Sequence, residues 1–386
     1  VRWNYQKILY VVNSLVADGG VERRNLEQVL YLRRQGLDVH VCALRAVGAT
    51  AERYRSSGVP VHFFRAYRAG EAAKNRVFLQ GLSAFYRFLF RERFGVVVGS
   101  QAPSHYLARL ACLPRLGRRV FAMERVATWD RKPIWKVLDA LCSLWTDRIL
   151  CISPWVRDGL TRKGRVPSCK VLVLEEGYRK DPAEPFCLPP FVGSGSKVIG
   201  CVGALQPEKG QALLLKAFRE VAVSRRNVFL VLAGSGPEEP HLRRLARELG
   251  ISEKVIFLGH VSQPHALYPR FDVFVFPSTS EGLGGVWVEA CLHGLPVVAA
   301  DVRPVRDYVV HGRSGLLYRP GDWSDLARCI LSLLDDPEKC QELGRNALAM
   351  ARRFFDFETQ MSKLHALLCP DHMNSPRALA CEDRPS

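Results

Sequence analysis

The chain has 386 residues, more than twice the size of a usual single domain, so two domains are expected. Its composition, 48% hydrophobic and 24% charged, is that of a soluble α/β protein able to bury large cores. No apolar run approaches the ~18–20 residues that span a bilayer, and the first residues carry no signal-peptide pattern. The protein is therefore expected in the cytoplasm, free or peripheral on the inner face of the membrane.

The formal charge of +17 is unevenly spread: residues 1–178 hold 30 Lys+Arg against 14 Asp+Glu, a net of +16, which leaves +1 for 179–386. Such an asymmetry calls for a polyanionic partner of the N-terminal half, a membrane surface or a nucleic acid. No RNA- or DNA-binding signature is present, so nucleic acid is not expected. The 12 cysteines are scattered, without CxxC or Cys/His zinc spacing. Cys42, Cys151, Cys201 and Cys291 lie in apolar stretches and read as reduced, packed thiols. No metal and no cofactor are expected.

In chain order, 7–15 reads as a strand, 21–36 as a helix and 38–44 as a second strand, completing a βαβ unit. Short β-rich runs follow at 59–64, 96–99, 119–123, 149–153 and 170–174, mostly separated by helical stretches, as in a parallel sheet covered on both faces. The proline- and glycine-rich run 181–196 reads as a linker. After it the pattern restarts with a strand at 198–203, a helix at 210–224, and strands at 228–233, 255–258, 273–276 and 296–300. The expected organisation is an N-terminal Rossmann-like domain over 1–180, a linker over 181–196 and a C-terminal Rossmann-like domain over 197–350. A helix over 351–369 then crosses back toward the first domain, and 370–386 is a disordered tail. The two domains are expected to face each other across a cleft at the carboxyl ends of their strands.

The densest chemical signal runs from 274 to 290: a strand, a glycine-rich loop and the first turns of a helix. Helix N-termini present unpaired N–H groups and partial positive charge, which suits phosphate. Gly282, Gly284 and Gly285 are read as allowing close approach of a ligand. Glu281 precedes the helix and Glu289 lies within it, so two polyol-binding carboxylates flank an anion site, as a sugar nucleotide requires. A glycine turn with a capping glutamate is the plainer reading. At 202–210, a strand end carrying Gly203 leads to Lys209 beside the next helix start, a position opposed to the helix dipole unless an anion is present. Asp18-Gly19-Gly20 forms another strand–glycine–helix junction, equally a simple turn. The loop 233–237 carries Pro237, which lacks an N–H, and reads as a structural turn.

These pieces resemble the retaining GT-B glycosyltransferases of family 4, the glycosyl transferases group 1. The resemblance rests on VGALQPEKG at 202–210, AGSGPEEPHLRRLARELGI at 233–251, VIFLGHV at 255–261, the E-x7-E segment 281–289, GLPVVAADV at 294–302 and HGRSGLLYRPGD at 311–322. In the N-terminal half, DGGVERR at 18–24, Met123-Glu124-Arg125 and CISPWVRDGL at 151–160 match more loosely. The resemblance implies two Rossmann-like domains with C-terminal helices packing back toward the first. It implies that Lys209 binds the donor diphosphate, Glu281 holds hydroxyls of the transferred sugar, and the backbone at Leu283, Gly284, Gly285 and Val286 contacts sugar and phosphate. By the same likeness Glu289 binds the ribose, the base lies near His260 and Val261, Gly203, Gly19 and Gly20 approach the donor, and Glu124 and Arg125 face donor and acceptor. The nucleotide sugar is then a co-substrate, most simply a UDP-sugar.

Two positions depart from the family pattern. Relatives usually have Arg at the position of Ala204, a second diphosphate ligand, and often Asn-Gly where this chain has Glu176-Gly177. Arg23, Arg24 or Arg125 are the candidate replacement cations. Without an Asp-x-Asp motif, metal independence is expected, with Lys209 and the helix mouth at Gly284–Val286 meeting the leaving charge. The aromatic, basic stretch 82–93 suits either a membrane interface, with a lipid-linked acceptor, or a core helix with solvated arginines. Trp129, Trp135 and Trp145 with Arg131, Lys132 and Lys136 allow the same two readings. A soluble small-molecule acceptor is the alternative, and an inactive homologue that binds membrane or polyanion is the alternative of another class.

Overall fold

The computed structural model describes residues 4–16, 19–64, 75–113, 117–126, 133–163, 166–181, 186–193 and 195–369, with backbone only for 75–82, 133–134 and 163. It divides into two units: 1–176 together with 358–386, and 177–357.

The first unit alternates strand and helix: β1 (Asn4–Leu15), α1 (Gly20–Arg34), β2 (Asp38–Val47), α2 (Ala49–Ser56), β3 (Val61–Phe63), α3 (Asn75–Glu92), β4 (Phe94–Ser100) and α4 (Ser104–Ala111). β5 (Arg119–Glu124), α5 (Pro133–Ser143), β6 (Arg148–Cys151), α6 (Pro154–Asp158) and β7 (Val171–Val173) complete it. Its sheet is parallel, in the order β3-β2-β1-β4-β5-β6-β7. β1 lies inside, and Ile8, Leu9, Tyr10 and Val11 are fully buried because helices cover both faces. In α3, Phe85, Phe88 and Leu89 are buried in the core with Leu9, Val11 and Val97, while Arg87 and Arg91 are exposed. Within 83–93, Phe85 and Phe88 therefore belong to the core, and Ser83, Arg87, Arg91 and Arg93 are exposed. Trp145 is likewise tied inward, its indole donating to the Arg109 carbonyl at 2.9 Å. Trp129, Arg131 and Lys132 lie outside the described residues.

The second unit runs β8 (Lys197–Val202), α7 (Gln211–Ser224), β9 (Val228–Ala233), α8 (Glu239–Glu248), β10 (Val255–Gly259), β11 (Val273–Phe276) and α9 (Gly285–Leu292). It continues with β12 (Val297–Ala300), β13 (Leu316–Tyr318), α10 (Trp323–Leu334) and α11 (Pro337–Phe355). Its parallel sheet has the order β10-β9-β8-β11-β12-β13. Asp322 and Asp336 cap α10 and α11 through bonds from the Asp325 and Lys339 amides, each 2.9 Å long.

The expected helix over 351–369 is in fact the end of α11 and a separate α12 (Phe357–Leu368), broken at Asp356. α12 belongs to the first unit, where Arg119 donates to its Leu368 carbonyl at 3.2 Å. The division at Glu176/Gly177 also differs from the linker expected over 181–196. The Phe186 amide donates to the Ala266 carbonyl at 2.9 Å, so that segment is bonded to the second unit.

Both sheets reverse direction of winding next to their first strand, at β1/β4 and at β8/β11. In open α/β sheets such switch points leave a crevice at the carboxyl ends of the strands, where ligands bind.

Candidate functional site

In the second unit, the loops that follow β8 and β11 meet at the switch point. Gly210 takes φ +73°, and a Cβ on it would lie 2.3 Å from the Pro277 carbonyl oxygen, so glycine is needed twice over. The Glu208 carbonyl accepts from the Thr279 amide at 3.1 Å and from the Ser278 hydroxyl at 3.3 Å. This short ladder draws together two residues that the sequence singled out separately: Lys209 Nζ forms an ion pair with Glu281 Oε1. The Ser278 hydroxyl also lies 3.0 Å from that oxygen. Ser278 was missed because a lone serine after a strand carries no linear signal. Both charged side chains stay partly open, at 25% and 16% exposure.

The mouth of α9 corrects the reading of its glycines. Gly284 adopts φ +81° as the N-cap, with the Phe276 ring 2.4 Å from where its Cβ would be. At Gly285 the Tyr178 hydroxyl lies 2.5 Å from the Cβ position. Side-chain packing, rather than ligand approach, occupies both spaces. Leu283 is buried, its carbonyl accepting from the Trp287 indole at 2.8 Å, and the Val286 carbonyl lies 3.3 Å from the Tyr268 hydroxyl. Glu289 is also buried: its Oε2 accepts from the Tyr268 hydroxyl at 2.9 Å, and its Oε1 lies 3.9 Å from His265 Nε2. This carboxylate is held against Tyr268.

Gly203 is half-buried at the end of β8, and Ala204 is exposed. A Cβ at Gly234 would lie 1.9 Å from the Gly203 carbonyl oxygen, and one at Gly236 would lie 2.2 Å from that of Leu205. The 233–237 loop is a structural support for 203–205, as its proline suggested. His260 is exposed and Val261 half-buried just beyond β10.

In the first unit, Gly19 is the N-cap of α1, and a Cβ on it would lie 2.6 Å from Glu22 Oε2. The chain thus places its own carboxylate beside that helix mouth, while Gly20 has open space around it. Glu124 ends β5 in a buried position, its Oε2 3.5 Å from His105 Nε2. Burial lowers the His105 pKa against the opposing pull of the Glu124 carboxylate. Arg125 is also buried: its guanidinium pairs with Glu176 and bonds the Ser100 hydroxyl, which donates to Asn25 at 3.1 Å. Arg125 is therefore engaged inside its unit. Arg23 and Arg24 are engaged as well, lying 3.4 Å and 2.7 Å from Glu27 oxygens.

Among the described residues, no group of three or more His, Cys, Asp or Glu side chains is placed to hold a metal ion. No helix among them is long and apolar enough to cross a membrane.

Two Rossmann-like units, each wound in both directions from its first strand, define the GT-B architecture. HepE from Anabaena, solved in complex with UDP, superposes with a TM-score of 0.81 at 20% identity, over 94% of this chain and 99% of that one. The model of Glycosyltransferase Family 4 matches residues 18–180 and that of Glycosyl transferases group 1 matches 191–350. The chain belongs to glycosyltransferase family 4. Among curated relatives, D-inositol 3-phosphate glycosyltransferase 2 of Catenulispora acidiphila is 39% identical over 46% of this chain and 43% of its own length. A GDP-mannose-dependent α-(1-6)-phosphatidylinositol monomannoside mannosyltransferase of Mycolicibacterium smegmatis is 27% identical over 68% of this chain and 74% of its own. The chain spans less than half the length of the first curated relatives it matches.

Proposed function

We propose that the protein is a retaining, metal-independent glycosyltransferase that moves a sugar from a UDP-sugar to a lipid-linked acceptor at the cytoplasmic membrane face. The observation that carries this reading is the Lys209–Glu281 pair at the β8/β11 switch point, a cation and a carboxylate poised side by side over the strand ends. When the donor enters, Lys209 turns to the diphosphate and Glu281 to hydroxyls of the sugar. The bond from the anomeric carbon to the diphosphate oxygen breaks, and the acceptor oxygen bonds that carbon on the same face. The acceptor proton passes to the leaving diphosphate. Charge developing on that group is met by Lys209 and the N-terminus of α9, so the work is electrostatic and positional. Glu289 holds the ribose and His260-Val261 neighbour the base.

The UDP in HepE supports the nucleotide, and the mannosyltransferase relative supports a lipid acceptor. The N-terminal charge of +16 supports an anionic surface, reached through arginines such as Arg87 and Arg91 and not through the buried face of α3. That burial also favours a second reading, a soluble acceptor. The test is transfer from radiolabelled UDP- and GDP-sugars to membrane lipid extract and to soluble polyols, with and without EDTA. UDP-dependent, EDTA-resistant labelling of lipid is expected. Strict dependence on added Mg²⁺ or Mn²⁺ would remove metal independence, and labelling of soluble polyols alone would select the second reading.

A further inference from the structure

Behind Glu289 lies a cluster that the proposed chemistry does not use. His265 sits on the short 3-10 turn Pro264–Ala266 between β10 and β11, and it is buried at 3% exposure. Its Nε2 lies 3.9 Å from Glu289 Oε1 and 3.8 Å from Asp181 Oδ2, almost midway between two carboxylates. The turn that carries it is fixed by the Phe186 amide, which donates to the Ala266 carbonyl at 2.9 Å. Tyr268, at the start of the next turn, gives its hydroxyl to the other Glu289 oxygen at 2.9 Å. The ring of His293 stands 5.4 Å from that of His265 and 4.9 Å from that of Tyr268. Its Nδ1 bonds the Glu289 carbonyl at 2.9 Å, and burial lowers its pKa, so it packs as a neutral ring. Glu289 is thus addressed on both carboxylate oxygens and on its backbone.

A carboxylate this buried is costly unless donors hold its charge, and those donors also decide which lone pairs remain for a ligand. Tyr268 fixes one oxygen. The imidazole of His265, shared with Asp181, lies just under 4 Å from the other and restrains it from the side away from Tyr268's bond. A carboxylate oxygen so placed still has a second lone pair to offer a hydroxyl.

We propose that His265, supported by Asp181, is a positioning residue for the donor nucleotide, setting the Glu289 carboxylate so that Oε1 accepts a ribose hydroxyl. The inference rests on the reading that Glu289 binds ribose and adds the residue that aims it. His265 touches neither the sugar nor the diphosphate, so it acts on recognition of the ribose and not on the transfer step.

The test is calorimetric binding of UDP and 2′-deoxy-UDP (or the GDP pair, if GDP binds the wild type better) to the full chain. A hydroxyl bonded to a buried carboxylate makes the wild type favour the ribonucleotide by about ten-fold or more. Glu289→Gln should lose most of that preference. His265→Ala should lose it too, by weakening the ribonucleotide several-fold and leaving the deoxynucleotide unchanged. His265→Gln, which keeps an N–H donor, should restore part of it. A drop in thermal stability of His265→Ala with full ribose preference would mean a structural role and overturn the proposal. In that case loss of preference in Glu289→Gln would leave the ribose reading intact. A wild type that does not discriminate, or that binds neither nucleotide, would overturn the ribose reading and this inference with it.

Discussion

The buried Arg125–Glu176 pair gives a sharp test of how the first unit is held together. The two side chains are 3% and 8% exposed, and the pair is extended by Ser100 and Asn25. Removing one member leaves the other charge stranded in low dielectric, which costs about 3–5 kcal/mol. In a unit of about 200 residues each kcal/mol moves Tm by roughly 2–4 °C, so a shift of roughly 6–20 °C is expected. Glu176→Leu and Arg125→Met should each produce it. The double replacement Arg125→Met with Glu176→Leu puts apolar volume where both charges were and should return to within a few degrees of wild type, because well-packed apolar pairs substitute for buried ion pairs at little cost. Scanning calorimetry of the four full-length proteins closes this cycle. Singles that melt with the wild type, or a double that melts below either single, would show that the pair is not the buried bridge described.

Three further outcomes follow from the same structure. Lys209→Ala and Glu281→Ala should each abolish most transfer while circular dichroism stays unchanged, since both side chains are partly open and lie on loops; wild-type turnover in either folded variant would remove that residue from the site. His40 and His62, stacked with ring nitrogens 2.9 Å apart, both have pKa values lowered, first by burial. Their folded-state values lie below the ordinary histidine value of about 6.5, so the stability they contribute is present above that pH and lost as pH falls through the lowered values. The fall of Tm on acidification should be shallower in His62→Phe, and parallel curves would refute it. Anionic vesicles should bind the protein at low salt and release it at high salt, with charge reversal at Arg87 and Arg91 weakening the attachment, at about 1 kcal/mol per basic residue near the surface; co-sedimentation indifferent to both would end the membrane reading.

The strands were the most legible part of the chain, because a parallel strand covered on both faces must be a nearly continuous apolar run, as at 8–12. Lys209 and Glu281 were legible for a related reason, each standing just past a strand end in a glycine loop. Their pairing was not, because it depends on the Glu208 carbonyl meeting the Thr279 amide, 71 residues away in the chain. The glycines of 284–285 were misread because one letter serves two demands. A Cβ can be absent to admit a ligand or to admit Phe276 and Tyr178, and sequence does not distinguish these. The boundary at Glu176/Gly177 was hidden for the opposite reason: the proline- and glycine-rich run nearby is the louder signal, yet its backbone bonds into the second unit.

The departures from the family pattern also change meaning once their neighbours are known. Glu176 stands where relatives often have Asn, and it meets the charge of Arg125, so the two residues form one neutral unit. At Ala204 the comparison is different: the three candidate cations Arg23, Arg24 and Arg125 each have a glutamate partner within the first unit. On the proposed reading the diphosphate is met by Lys209 and the α9 mouth, and an added cation should strengthen binding. Ala204 is exposed on the loop after β8, and its carbonyl accepts from Gln211 at 3.0 Å, a bond any side chain at 204 leaves intact. Ala204→Arg should therefore fold normally. A hydrogen bond to a charged group is worth about 1.5–3 kcal/mol, and solvent at an exposed position reduces that to a gain of roughly several-fold in UDP affinity. The gain should shrink with added salt, and uridine without phosphate should bind both proteins equally. An unchanged Kd for UDP, or an equal gain for uridine, would show that the anion does not lie over the 203–210 loop.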